Sequence, residues 1–446
     1  MAIEVKKISL WDTLRLQLVL SFPAFLLGLV ATNRWVLWCF SRIGAGQSAM
    51  RFFRDLRDKY RCDHLWVWFP AWPVRRTLLV LAPETMEAVL LSDANAADPF
   101  LKKRALSRFI PDALVISSGD EWRDRRGFNE NALATGRPHE DRETFRRIAS
   151  REAGQLTGEC PGELRWVDFQ SLGERISHQV ILGAGEIKPE MTRQLARAVR
   201  FSNILLRNRA SFSTFYEQLE RHLTRPQVAA STACLMHKSS ALLGSGGAKG
   251  TTRVPTQIGF WFFVLKDALE LHVARTLALI AAHPEVQTKV RQEVRAAGTL
   301  TVETIEGLHY LEGCLREQLR LWTPVPILLR RATKAFSLRD EIPIEAEQQI
   351  LIHAGFYHRD ARYFGAYADT FLPDSTAYEF PTVYFFSGHR QSCAGRTLAT
   401  FLLKATLASL LARFRFELIG PAIEPGRIPY LYDHFSVRLR AVPDAL

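Results

Sequence analysis

The stretch FFSGHRQSCAGRTLATFLLKATL, residues 385–407, places one cysteine, Cys393, just before an apolar pattern of helical period. Leu403, Leu407, Leu410, Leu411 and Phe414 fall on one helical stripe, so Cys393 stands where that helix begins or shortly before. A helix N-terminus lowers a thiol's pKa through its free N–H groups and dipole, and a thiolate is what binds soft or borderline metals. Gly388 and Gly395 would let the backbone turn tightly and come close to a flat ligand or to the sulfur, and Phe386 would shield the sulfur from water. Taken alone, a cysteine before a helix is usually a small structural residue. Its neighbours decide the matter.

The other five cysteines, Cys39, Cys62, Cys160, Cys234 and Cys314, form no C-x-x-C pair and have neither disulfide-scaffold nor zinc spacing. In a chain of 446 residues they read as reduced thiols in a reducing compartment. A hydrophobic share of 47% and a charged share of 23% describe an ordinary globular protein. The net charge of +12 suits an anionic membrane surface, an acidic protein partner or nucleic acid. Nucleic acid ranks last, because the arginines are scattered and no zinc-finger or RNP-type motif is present. The one glycine-rich loop, GSGGAKGTTR at residues 244–253, fails both the dinucleotide and the P-loop patterns at Lys249 and reads as a connection between helices.

Residues 1–45 form an apolar N-terminal segment, and 46–446 read as one domain. From Leu16 to Asn33 there is no charge, which is marginal against the roughly 20 apolar residues a bilayer crossing needs. Trp11, Trp35 and Trp38 with Arg15, Arg34 and Arg42 suit a segment lying at a membrane interface, and a helix packed on the body is an equal alternative. The expected location is the cytoplasm or a membrane surface facing it. Residues 65–81 alternate as strands around a turn, and residues 284–297 start with Pro284 and stop before Gly298 as a helix. Leu308, Leu311, Leu315, Leu319 and Trp322 step at helical spacing, and short strands return at QQILIHA and HFSVRLRAV. The spacing predicts a mostly α architecture with small peripheral β-sheets.

FSGHRQSCAG, residues 386–395, resembles the haem-binding loop of the cytochrome P450 superfamily, F-x-x-G-x-R-x-C-x-G, with Phe386, Cys393 and Gly395 in register. His389 stands where the family has glycine, with Gly388 one place earlier, and Gln391 stands where it has arginine, with Arg390 one place earlier. REQLRLWTPVPILLRRA, residues 316–332, is similar to the family's E-x-x-R helix and the strand after it. Glu317 and Arg320 form the structural pair there, and Arg330 takes the place of a propionate contact. GDEWRDRRGFNENAL, residues 119–133, resembles W-x-x-x-R, with Trp122 and Arg126 four apart on one helix face. HRDARYFGAYADTFLPD, residues 358–374, resembles the meander before the haem loop, whose usual arginine is replaced by Ser375. The resemblance covers roughly residues 50–440 with its motifs in order. It implies the P450 fold, thiolate-ligated haem b with Cys393 on the iron, and haem contacts from Trp122, Arg126, Arg330, Phe386, Arg390 and Gly395.

The family's central helix carries an acid–threonine pair, and the matching stretch here is VLKDAL, residues 264–269, with Asp267 on the acid and Ala268 on the threonine. Alternatively Lys266, Asp267 and Glu270 form the polar face of a long helix, although IGFWFFVL before them is apolar all round, as in a buried helix. Three readings follow from the resemblance. The first is an O2-dependent monooxygenase fed electrons by a separate ferredoxin or flavoprotein, with Arg123, Arg125 and Arg126 contributing to a basic docking face. The second is a peroxide- or hydroperoxide-dependent haem-thiolate enzyme. The third is a non-catalytic haem-binding protein. Apolar residues including Phe100, Phe109, Phe201, Phe212 and Phe215 suggest a lipophilic small-molecule substrate.

Overall fold

The computed structural model describes residues 5–28, 32–69, 75–92, 98–100, 103, 106–107, 110–159, 162–183, 210–223, 233–247, 250–339, 342–374 and 383–443. Its axis is the helix Val254–Ala282, 29 residues long, which begins with Pro255 in its first turn and ends before Pro284 opens the next helix. Apolar residues occupy most of its faces, so it cannot lie at a surface. The helices Trp166–Ser177, His309–Leu321 and Arg396–Leu411 pack around it and share its core. Gly173 makes the closest approach possible, because a Cβ there would lie 2.9 Å from the Lys266 carbonyl oxygen.

The strands lie to the side of this helical body. β1 (His64–Phe69), β2 (Arg75–Val80), β7 (Gln349–Ile352) and β4 (Leu328–Arg331) form a four-stranded sheet in the order β1-β2-β7-β4. The β2–β7 pair is parallel and the others antiparallel. β3 (Glu163–Arg165), β9 (Arg438–Pro443) and β8 (Phe414–Gly420) make a second sheet, and β5 (Phe336–Leu338) with β6 (Ile342–Ile344) a hairpin. The four-stranded sheet has its own apolar core, into which Ile8, Leu16 and Leu20 of the N-terminal segment insert beside Phe52 and Phe53.

Most of the predicted elements appear within a residue or two: helices Pro284–Ala296 and His309–Leu321, and strands at 64–69, 75–80 and 349–352. HFSVRLRAV differs at its start. Residues His434–Ser436 form a single 3₁₀ turn, and the strand begins at Arg438, because His434 is drawn into the core against Trp166.

Candidate functional site

The loop before the helix Arg396–Leu411 folds back on itself, with the Cys393 N–H donating to the Phe386 carbonyl at 2.8 Å. Ser387 and His389 both take positive φ, 57° and 50°, on either side of Gly388. That region costs a side-chain-bearing residue of order 1 kcal/mol or more. Gly388 itself has an ordinary φ of −144° and is required for another reason: a Cβ there would lie 2.8 Å from the Tyr384 ring. Gly395 needs neither special φ nor space, since its nearest neighbour would be 3.9 Å away. Burial pushes the Cys393 thiol pKa up, while the Gly395 N–H and the cations Arg126 and Arg396 oppose the rise. The sulfur therefore has thiolate-favouring donors in a low-dielectric setting.

Two buried polar groups beside the loop are left incomplete. Arg330, on β4, donates from Nε to the Gln391 side-chain oxygen at 2.8 Å and from Nη1 to the Leu329 carbonyl at 3.0 Å. It has no carboxylate partner among the described residues, and desolvation lowers its pKa to about 10. Gln391 Nε2 is buried without an acceptor. A buried cation lacking its counter-charge and a buried N–H lacking its acceptor are each costly, and one carboxylate of a ligand would satisfy both. Gln391 therefore occupies the inward position. Arg390, expected from the sequence to contact the cofactor, is exposed and lines an open cavity together with Arg126 and Arg396. Arg126 donates to the Ser392 carbonyl at 2.5 Å and to Glu130 at 2.6 Å, with its guanidinium 5.9 Å from the half-buried Trp122 ring.

Behind this, Glu317 and Arg320 form a bidentate pair at 2.6 and 2.8 Å, each side chain only 1% exposed. Arg320 also donates to the carbonyls of His358, Tyr367, Ala368 and Thr370, and Glu317 accepts the Leu372 N–H. Backbone carbonyls thus serve as the pair's further partners. Ser375 lies outside the described residues. His358 bonds Thr323 Oγ1 at 2.7 Å through Nδ1 and accepts the Tyr384 N–H at Nε2, coupling this cluster to the start of the cysteine loop. Burial pushes its pKa down to about 3, which keeps it the neutral acceptor that the Tyr384 bond requires.

The central helix shows one face unlike the rest. Phe260, Phe263, Ala268 and Leu271 are half-exposed, Val264 is 46% exposed and the Asp267 side chain 68% exposed, all at intervals of three or four residues. Yet desolvation by surrounding protein raises the Asp267 pKa, with Lys266 opposing it. The Asp267 carboxyl is thus open to solvent yet closely surrounded by protein. Lys266 and Glu270, by contrast, are buried and bonded to each other at 2.8 Å. The three charges therefore do not form one solvated face.

Beside the cysteine loop lies an open polar cavity of about 710 Å³ lined by Arg126, Arg137, Arg390, Arg396 and His389, with Glu130 among them. The expected face of Arg123, Arg125 and Arg126 is not there as a unit. Arg125 is buried and held by Ser117 and Thr251, and the exposed Arg123 pairs with Asp120. Phe215 is a core residue packed on Tyr216, and Phe100 lies under Arg331. Phe109, Phe201 and the Phe212 side chain fall outside the described residues. Sequence reasoning missed Gln391 and the aromatic stripe above Asp267. The helical period counted back from Asp267 to Phe263, Val264 and Phe260 carried the second signal.

A mostly helical body thus carries a half-buried, donor-supported thiol at the head of one core helix and an open polar side chain, Asp267, on another. The family profile for cytochrome P450 matches residues 272–425. Similar proteins include probable cytochrome P450 4d20 of Drosophila melanogaster, 27% identical over 180 residues, covering 38% of this chain and 35% of that protein. Cytochrome P450 71A14 of Arabidopsis thaliana is 32% identical over 151 residues, 30% of each chain. Cytochrome P450 734A2 of Oryza sativa subsp. japonica is 25% identical over 436 residues, covering 84% of this chain and 77% of that protein. The first listed matches thus span only about a third of the relatives' own length, and the third spans most of it. These matches support membership of the cytochrome P450 superfamily. Haem held by a cysteine thiolate is that family's cofactor, and the incomplete donors at Arg330 and Gln391 fit a carboxylate-bearing group of this kind.

Proposed function

We propose that this protein is a haem-thiolate monooxygenase in which Cys393 is the axial ligand and a separate protein donates electrons. The observation that carries the reading is the cysteine loop itself, whose Gln391 accepts from a buried Arg330 that has no carboxylate partner among the described residues, two positions before a Cys393 sulfur supported by the Gly395 N–H. When bound, haem supplies the activation of O2 and the transfer of oxygen to substrate, which the thiolate favours by donating electron density. The residues of the chain do the rest. Arg330 and the Gln391 amide hold a carboxylate of the cofactor, Trp122 with Arg126 closes the loop beside it, and Phe386 screens the sulfur from water. Asp267, whose pKa is raised by desolvation, would hold a proton at its carboxyl on the central helix. Phe260, Phe263 and Val264 offer an apolar wall to a lipophilic small molecule. The cavity of Arg137, Arg390 and Arg396 gives an acidic ferredoxin or flavoprotein a docking surface close to the loop.

Ala268 favours a second reading, a peroxide- or hydroperoxide-dependent enzyme, because no side-chain hydroxyl stands beside Asp267 at that turn of the helix. The test begins with the dithionite-reduced protein under carbon monoxide. A Soret band of the strongly red-shifted thiolate type is expected, and its loss in Cys393→His, with haem still bound, assigns the ligand. A histidine-type band in the unaltered protein would refute the assignment. Product formation that needs an electron donor and O2 supports the monooxygenase, and product with peroxide alone supports the second reading. Absence of both leaves a non-catalytic haem protein.

A further inference from the structure

The cavity beside the cysteine loop carries more positive charge than the chain itself neutralises. Its walls come from two elements locked together. The helix Gly119–Ala132 ends in a turn at residues 133–136, where Thr135 Oγ1 donates to the Ala394 carbonyl at 2.6 Å. The Gly136 N–H donates at 3.1 Å to Thr397 Oγ1, in the first turn of the helix Arg396–Leu411. Gly136 takes a φ of 75°, and a Cβ there would lie 3.9 Å from Arg396 Nη2. Arg137 and Arg396 therefore flank the same pinned turn. Arg390, in the neighbouring 3₁₀ turn, lines the cavity with them.

The acids nearby are already committed. Glu130 accepts from Arg126, Glu87 lies 3.6 Å from His389, and Glu140, which Arg137 faces from a distance, accepts from Lys238. Arg137, Arg390 and Arg396 make no ion pair among the described residues. Like charges held in one concavity raise its potential, and an anion between them relieves their repulsion. The lining is also chemically uniform: no apolar side chain takes part among the described residues. A lipophilic ligand would gain nothing there. A guanidinium offers two parallel N–H donors, which match the edge of a phosphate. At about 710 Å³ the cavity is far larger than one such group, so meeting three arginines takes an anion with charges spaced along it.

We propose that this cavity is a binding site for a polyphosphate-type anion, a small molecule carrying several linked phosphoryl groups. Arg137, Arg390 and Arg396 take its phosphate oxygens, and the Asn131 amide adds a neutral donor. An acidic electron donor seated on this face would meet the same arginines, so the two occupants exclude one another. That exclusion rests on the proposed donor, whereas the binding of the anion does not.

The test titrates the haem-loaded full chain with inorganic tripolyphosphate in a calorimeter at low salt. One equivalent should bind, more tightly than orthophosphate, and its affinity should fall by about tenfold or more as salt rises from about 0.05 to about 0.5 M. Arg137→Met with Arg390→Met should weaken binding by about tenfold or more. Arg438→Met with Arg440→Met, on β9, should change it by less than about twofold. A second measurement needs no variant. Phenylglyoxal modifies accessible arginines, and tripolyphosphate should slow its attack on Arg137, Arg390 and Arg396 in the peptide map while leaving Arg438 and Arg440 unprotected. Neither readout depends on the ligand of the iron, so a failed carbon monoxide test would leave both standing. The proposal is overturned by any of four results: no binding, several equivalents undiminished in the first double variant, tripolyphosphate no tighter than orthophosphate, or protection confined to other arginines.

Discussion

Arg320 and Arg330 are ten residues apart and both buried, yet their surroundings are opposite. Arg320 has a bidentate carboxylate and four backbone carbonyls, more acceptors than its five N–H groups require. Arg330 has one amide oxygen and one carbonyl, and no negative charge among the described residues. Burial alone therefore says little about what a buried arginine is for. The completeness of its partners does. Arg320 finishes an internal clamp that fastens the helix His309–Leu321 to the chain leading into the cysteine loop. Arg330 remains open toward whatever carries the missing charge.

That contrast can be broken by substitution. Removing one member of a buried, fully bonded ion pair costs about 3–5 kcal/mol. Arg320→Leu should therefore lower the denaturation midpoint of haem-free and haem-loaded protein alike, to the point of poor folding at ambient temperature. Arg330→Met should leave the haem-free protein as stable or stabler, because it removes an uncompensated charge, yet weaken haem retention in a competition with apomyoglobin. Equal destabilisation of the haem-free protein by both changes would erase the distinction.

A smaller effect tests the His358 link between the two regions. Its pKa lies at about 3 in the fold against an ordinary 6.5, so the unfolded chain binds the extra proton first as pH falls. The His358 contribution is fully present above pH 6.5 and is lost as pH drops toward 3, at about 1.4 kcal/mol per pH unit. His353, pushed down to about 4, behaves the same way. Urea midpoints measured from pH 7 to 4.5 should fall, and His358→Gln should flatten that fall by one proton's worth. An unchanged slope would mean that His358 is not neutral in the fold.

The smallest expected change sharpens the account of the loop itself. His389 holds a left-handed φ of 50° where the family pattern has glycine. His389→Gly should stabilise the loop by about 1 kcal/mol. Thermal unfolding of the haem-free protein reads this directly, and a loss of stability would show that the His389 contacts with Glu87 and Tyr384 outweigh the strain.

Much of this was legible in the residues. Cys393 before an apolar helical stripe, Glu317 three residues ahead of Arg320, and Arg330 on the following strand are side-chain signals at local spacing. Local spacing survives folding, because helix and strand geometry convert it directly into position. Gln391 was not legible as the inward group. In the 3₁₀ turn His389–Gln391 one residue's shift swings a side chain by about 120°, and the sequence holds Arg390 and Gln391 side by side. The carbonyls around Arg320 were invisible for a different reason: every residue has one, so no residue type announces it.

The N-terminal segment shows the same division. Its apolar composition and basic flanks are written in the chain, and they permit a membrane partner. Whether the helix crosses a bilayer or lies along it depends on which face is already taken, and Phe52, Phe53, Lys59 and Trp68 take it from far along the sequence. Sequence by itself determined which groups could ligate, pair or partition, since those are properties of side chains and their local period. Tertiary structure decided which of them were satisfied from within and which were left open, because satisfaction depends on contacts between residues that the chain order keeps apart.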